Sequence, residues 1–151
     1  MKPILRNFLT IISLQMATSS IASSAEILTV SNPWVRATVP AQQVTGAFMT
    51  LTAAADLRLV AVSSPQAGMV EIHQMAMENN VMQMRALPDG LALPKGKAIE
   101  LKPGGYHLMV MDLKRPMQQG AWLPLTLTVE TKDKKRSTVV VSAEVKALTT
   151  K

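Results

Sequence analysis

The chain has no cysteine among its 151 residues. That removes disulfides, thiolate metal ligands and thiol catalysis, and it leaves no sulfur at a signal junction for a lipid anchor. A blue-copper electron-transfer site, which needs a cysteine thiolate beside two histidines, is excluded on the same ground. Aromatic residues are scarce, with two Trp, two Phe and one Tyr, so the core must be built from aliphatic side chains. Histidine is scarcer still, with only two in the chain.

Charge is modest. The net value is +6 overall, and it falls to about +4 once Lys2 and Arg6 are set aside with an export segment (14 Lys+Arg against 10 Asp+Glu). The densest basic cluster, Lys132-Asp-Lys-Lys-Arg136, reads as a solvated turn. No aromatic stacking platform accompanies it, so nucleic-acid binding is not expected.

Residues 1–25 have the form of an export signal. Lys2 and Arg6 give a positive start, Phe8–Ala17 is a short apolar stretch, and small residues run to Ala25. Cleavage is expected after Ala25 or after Ala22, with an uncleaved N-terminal anchor as the alternative. The apolar stretch falls short of the roughly 20 residues that a spanning helix needs, and no later segment could cross a bilayer. An exported, periplasmic protein without a spanning segment is expected.

Beyond residue 25 the sequence reads as short strands separated by Gly, Pro and Asn turns. Leu28–Ser31 and Trp34–Thr38 flank Asn32-Pro33. Gly46–Thr52, Leu57–Ser63, Met69–Met77, Val81–Leu87, Ala98–Leu101 and Tyr106–Met111 follow. The last hairpin shows period-two alternation, with Leu123, Leu125, Leu127 and Val129 on one arm and Val139, Val141, Ala143 and Val145 on the other. Such a pattern buries one face of each strand. Many short strands with turn punctuation argue for an all-β sandwich or barrel. No linker divides the chain, so residues 26–151 form one expected domain.

The histidines sit among methionines. Eight of the nine methionines outside the signal fall between Met69 and Met117. Asn79-Asn80 suits a two-residue hairpin turn, because Asn tolerates positive φ. That turn would set Met77 opposite Met82 and Met75 opposite Met84. Side chains alternate across a strand, so His73, Met75, Met77, Met82 and Met84 would share one face. His107, Met109 and Met111 share a face of a separate strand. If the two sets meet, two imidazoles and several thioethers converge. Such a donor set suits copper, above all the monovalent ion. Packing is the plainer reading of any single methionine here, since Met is a common core filler.

The spacing His73-x10-Met84-x22-His107-x-Met109 resembles the copper-binding motif of the periplasmic PCuAC copper chaperone family. Asn32-Pro-Trp-Val-Arg-Ala37, Thr45-Gly-Ala-Phe-Met-Thr-Leu51, Leu59-Val-Ala-Val-Ser-Ser-Pro65 and Leu101-Lys-Pro-Gly-Gly-Tyr-His-Leu-Met109 extend the similarity over the mature chain. The gap before His107 is one residue longer than the family's usual one, and Ala53-Ala-Ala55 departs from its pattern.

The resemblance implies a single cupredoxin-like β-sandwich of Ig-like Greek-key type, with a solvent-accessible site near one end. It implies His73, Met84, His107 and Met109 as ligands of Cu(I), with Met75 as an auxiliary and Cu(II) as a second oxidation state. Met77, Met82 and Met111 stand behind Met75. The implied role is delivery of copper to a receiving protein, either an oxidase subunit carrying a CuA centre or another copper carrier. The implied protein is a monomer and not an enzyme. A protein-binding β-sandwich without metal is the alternative. Trp34 and Arg36 are expected at the sandwich edge, Tyr106 facing away from His107, and Gly104-Gly105 in a turn that aims the His107 strand.

Overall fold

A computed structural model describes residues Glu26–Ala147. The expected export segment 1–25 and residues 148–151 lie outside it. Ten strands follow in chain order: β1 (Leu28–Arg36), β2 (Thr45–Ala53), β3 (Leu57–Ser63), β4 (Ala67–Glu78), β5 (Val81–Ala86), β6 (Leu91–Leu93), β7 (Ala98–Leu101), β8 (Tyr106–Leu113), β9 (Trp122–Thr131) and β10 (Arg136–Lys146).

The strands are neighbours in the order β5-β4-β8-β7-β2-β1-β10-β9-β3-β6. An additional β4–β3 pairing rolls this sheet closed, and β8 also pairs directly with β2 beyond the short strand β7. The result is a flattened, barrel-like sandwich, which leaves β5 and β6 as outlying edges. Closure removes most unpaired edge groups.

The interior is aliphatic, as the shortage of aromatics requires. Leu28, Leu51, Leu59, Leu108, Val110, Leu123, Leu125, Leu127 and Val129 are fully buried. Each such side chain contributes about 1.5–3 kcal/mol through removal from water. The β9–β10 alternation sends Leu123, Leu125, Leu127, Val129, Ala143 and Val145 inward. Val139 and Val141 only pack against the core margin, and β1 pairs with β10 only further on, at Glu144–Lys146.

Two local differences from the sequence reading stand out. The first two expected strands are one strand, β1, bent by a bulge between Ser31 and Trp34. Asn32 takes φ 51° at the bulge, which an Asn tolerates and which lets pairing resume after Pro33. The short strand β6, hidden in a turn-rich stretch, pairs with β3.

Candidate metal centre

The β4–β5 hairpin has the register that the sequence dictates. Asn79 and Asn80 take φ 50° and 60°, a turn with both central residues left-handed. Met77 pairs with Met82, Met75 with Met84, and His73 with Ala86. On its other side β4 pairs with β8, which sets His73 opposite His107, Glu71 opposite Met109 and Met69 opposite Met111. The two sets therefore meet as hydrogen-bonded neighbours on one face of one sheet, not as two sheets facing each other. That face is the outer one. Ile72, Leu108 and Val110, from the alternate positions, fill the core.

Each imidazole is held by a group two residues earlier in the chain. His107 Nδ1 lies 3.0 Å from the Gly105 carbonyl oxygen. A carbonyl only accepts, so Nδ1 donates, and Nε2 of the neutral ring is left with its lone pair free. The turn through Gly104, at φ 82°, places this carbonyl. The same Gly105 oxygen accepts the Met75 backbone N–H at 3.1 Å, tying the His107 turn to β4. On β4, His73 Nε2 donates to Glu71 Oε2 at 2.8 Å. His73 Nδ1 is then a buried nitrogen with no hydrogen-bond partner. Buried polar atoms are seldom left so, and one beside a second free imidazole nitrogen fits a metal ligand. The two ring centroids are 5.7 Å apart.

Beside the rings opens a pocket of about 320 Å³, with Met75, Met84, His107 and Met109 in its wall. His73 is not in that wall; it stands opposite His107 on β4. Met84 is 48% exposed, whereas His107 is only 6% exposed. Three of the four expected ligands, and the auxiliary Met75, thus share one cavity, and the fourth, His73, is the cross-strand neighbour of His107. Among the described residues, no group of three or more His, Asp, Glu or Cys could hold a metal ion. A metal bound here would depend on thioether sulfur. Neutral nitrogen and sulfur donors favour a soft, singly charged ion over a hard divalent one.

The far wall comes from β1 and β2. Gly46 is the register partner of Met109, and a Cβ at Gly46 would come within 2.8 Å of the Phe48 ring. Phe48 therefore lies folded over Gly46. It is stacked on Trp34 at 4.5 Å between centroids and capped by the Arg36 guanidinium at 5.8 Å. Arg36 also lines the pocket, while Trp34 supports it from behind. Tyr106 faces away from His107 and packs at the core margin, as expected. Sequence reading gave no role to Glu71, the Gly105 carbonyl or Phe48. The signal for the first two is their position two residues before each histidine, hence on the same side of the strand.

The family model "Putative lipoprotein LpqE-like" matches residues 28–145. "Putative lipoprotein Lxx21020" of Leifsonia xyli subsp. xyli is 28% identical over 103 residues, 68% of this chain and 62% of that protein, so the match spans less than two thirds of its length. The apo PCuAC domain from PmoF1 superposes with a TM-score of 0.64 at 26% identity, covering 82% of this chain and 96% of that domain. The solution structure of Cu(I)-DR1885 from Deinococcus radiodurans superposes with a TM-score of 0.60 at 27% identity, covering 86% of this chain and 85% of that one. The fold is cupredoxin-like, and the chain belongs to the LpqE-like family, that of the PCuAC copper chaperone domains.

Proposed function

We propose that this protein is a periplasmic copper carrier that binds one Cu(I) and hands it to another protein. His73, Met84, His107 and Met109 serve as ligands, with Met75 as an auxiliary. The observation that carries this reading is the pair of imidazoles whose second nitrogens are tied by hydrogen bonds, beside a pocket walled by thioethers. A metal-free binding module accounts for the sandwich but not for the buried, unpartnered His73 Nδ1. The likeness to a Cu(I)-bearing PCuAC structure supports the choice of metal.

The site suits transfer better than storage. Imidazole nitrogen and thioether sulfur are uncharged donors, so they add no negative charge around the bound ion. Met84, on the exposed strand β5, is the donor most open to replacement. An incoming ligand from a receiving protein can displace Met84 first, while the anchored imidazoles retain the ion until the last bond exchanges. No electron moves and no substrate turns over, so the protein acts as a carrier and not as an enzyme. The recipient we favour is the CuA centre of a respiratory oxidase. The export segment 1–25 would deliver the chain to the compartment where such centres are assembled. Cu(II) would be held mainly by the imidazoles, because thioether sulfur is a poor partner for the harder ion.

The test is a Cu(I) titration against a competing chelator. The expected result is one tightly held Cu(I) per chain, lost in His107→Ala and in Met109→Ala. Unchanged affinity in both variants would remove the assignment.

A further inference from the structure

The β4–β5 hairpin carries more thioethers than one copper ion needs. Its two-residue turn makes Glu78–Val81 the first hydrogen-bonded pair. The pairs Met77–Met82 and Met75–Met84 then both fall on non-hydrogen-bonded rungs, where facing side chains approach most closely. The inner rung, Met75–Met84, lines the pocket with His107 and Met109. The outer rung lies on the same face, one strand repeat or about 7 Å further toward the turn.

Packing does not explain the outer rung. Met77 is 64% exposed and Met82 46% exposed. Every residue of β5 is exposed, and so is Met77 at the end of β4, so neither thioether contributes to a core. An exposed strand is ordinarily made of β-branched, aromatic or charged residues, and Met has no special preference for it. The rung is nevertheless held in place. The Arg85–Glu78 ion pair spans the hairpin on its opposite face, and Asn79 and Asn80 lock the turn.

We propose that Met77 and Met82 form a second, weaker Cu(I) site, an entry rung through which the ion reaches the inner pocket. The proposal rests on the Cu(I)-carrier reading of that pocket and extends it. Two thioethers suit Cu(I), with water or a donor protein's ligand completing the shell. Lacking imidazole, the rung holds the ion loosely. Transfer inward is ligand exchange: a bond from copper to Met84 or Met75 sulfur forms as one to Met77 or Met82 sulfur breaks. Copper remains Cu(I), and no proton or electron moves. Methionine side chains have three rotatable bonds, which lets the sulfurs close the gap between rungs.

Protein labelled with 13C at the methionine methyls, titrated anaerobically with Cu(I) supplied as its acetonitrile complex, tests this. The first equivalent is expected to move the Met84 and Met109 methyls. The second is expected to move those of Met77 and Met82. In the Met77→Leu/Met82→Leu variant, a change of shape small enough to keep the exposed hairpin folded, bound copper per chain should fall from two equivalents to one. Uptake of the first ion should slow by about tenfold, at the low end of the one to three decades over which association rates vary among variants of one interface. Unmoved Met77 and Met82 methyls at two equivalents, or wild-type uptake by the double variant, would overturn the proposal. Failure of the first equivalent to move Met84 and Met109 counts instead against the carrier reading, and the two failures are read from different signals.

Discussion

His73 and His107 stand directly opposite each other on β4 and β8, with ring centroids 5.7 Å apart and planes inclined by 57°. Thirty-three intervening residues fold away between them, yet their spacing is set by an ordinary antiparallel ladder. Backbone hydrogen bonds thus fix the distance, and the groups two residues upstream fix the ring orientation. The consequences can be checked one at a time.

Glu71 holds His73 through Nε2. Glu71→Ala frees the ring to rotate and to exchange tautomers. Cu(I) affinity should fall by about 10- to 100-fold, the usual cost of losing a partner that orients a metal-binding histidine. Glu71→Gln keeps an accepting oxygen and should restore most of it. Chelator competition on both variants measures the difference.

Gly46 lies beneath the Phe48 ring, and the room for a Cβ is already taken. Phe48 is itself pinned by Trp34. Gly46→Ala should therefore destabilise the fold by about 1–3 kcal/mol, as overpacking generally does. Urea denaturation with and without Cu(I) reads this. Displacement of Phe48, which shares the pocket wall with Met109, should also weaken metal binding.

Gly90 is more constrained. It takes φ 82°, and a Cβ there would fall 2.2 Å from the Leu59 carbonyl oxygen. The obstruction is backbone, so no side chain can turn aside. Gly90→Ala should cost more than Gly46→Ala, roughly 3 kcal/mol or above, because left-handed strain adds to a forced shift of β3. Equal stability of the two variants would contradict this ordering.

Acid should weaken the fold through Glu130. Arg136 and then Lys134 hydrogen-bond this carboxylate and hold it below its ordinary value of 4.5. Its folded pKa is thus lower than its unfolded one, so the unfolded chain binds the proton more readily. The stabilisation is fully present above about pH 4.5 and is lost as pH falls through the lower folded value. Asp56, held down by Lys132, adds to the same acid limb. In Glu130→Gln, stability at neutral pH should be lower and the fall below pH 4.5 shallower. Denaturation midpoints from pH 3 to 7 would show it.

Much of this was legible in the sequence because it is local. The Asn79-Asn80 turn fixes the hairpin register, and once the turn is placed the Met75–Met84 and Met77–Met82 pairs follow from strand periodicity alone. The outer pairing of β4 with β8 is a different kind of fact. It joins segments far apart in the chain, and no turn specifies it, so the meeting of His73 and His107 stayed conditional. The β1 bulge at Asn32-Pro33 looks in sequence like a break, because a proline and a left-handed Asn signal a turn as readily as a bulge. Strand β6 was hidden because three residues between Gly90 and Pro94 show too little alternation to register. The cluster Lys132–Arg136 does form a turn, but its charges are not simply solvated. Lys132 pairs with Asp56 at 2.8 Å and Arg136 with Glu130 at 2.9 Å. Asp56 lies in the turn before β3, far from the basic cluster in the chain.

The central claim is that nitrogen and thioether sulfur from three adjacent strands bind one copper ion together. X-ray absorption at the copper edge of the Cu(I)-loaded protein tests it most directly. The account predicts a shell of mixed nitrogen and sulfur scatterers, with the sulfur contribution reduced in Met109→Ala and the nitrogen contribution reduced in His107→Ala. A shell of nitrogen and oxygen alone, unaltered by Met109→Ala, would contradict it.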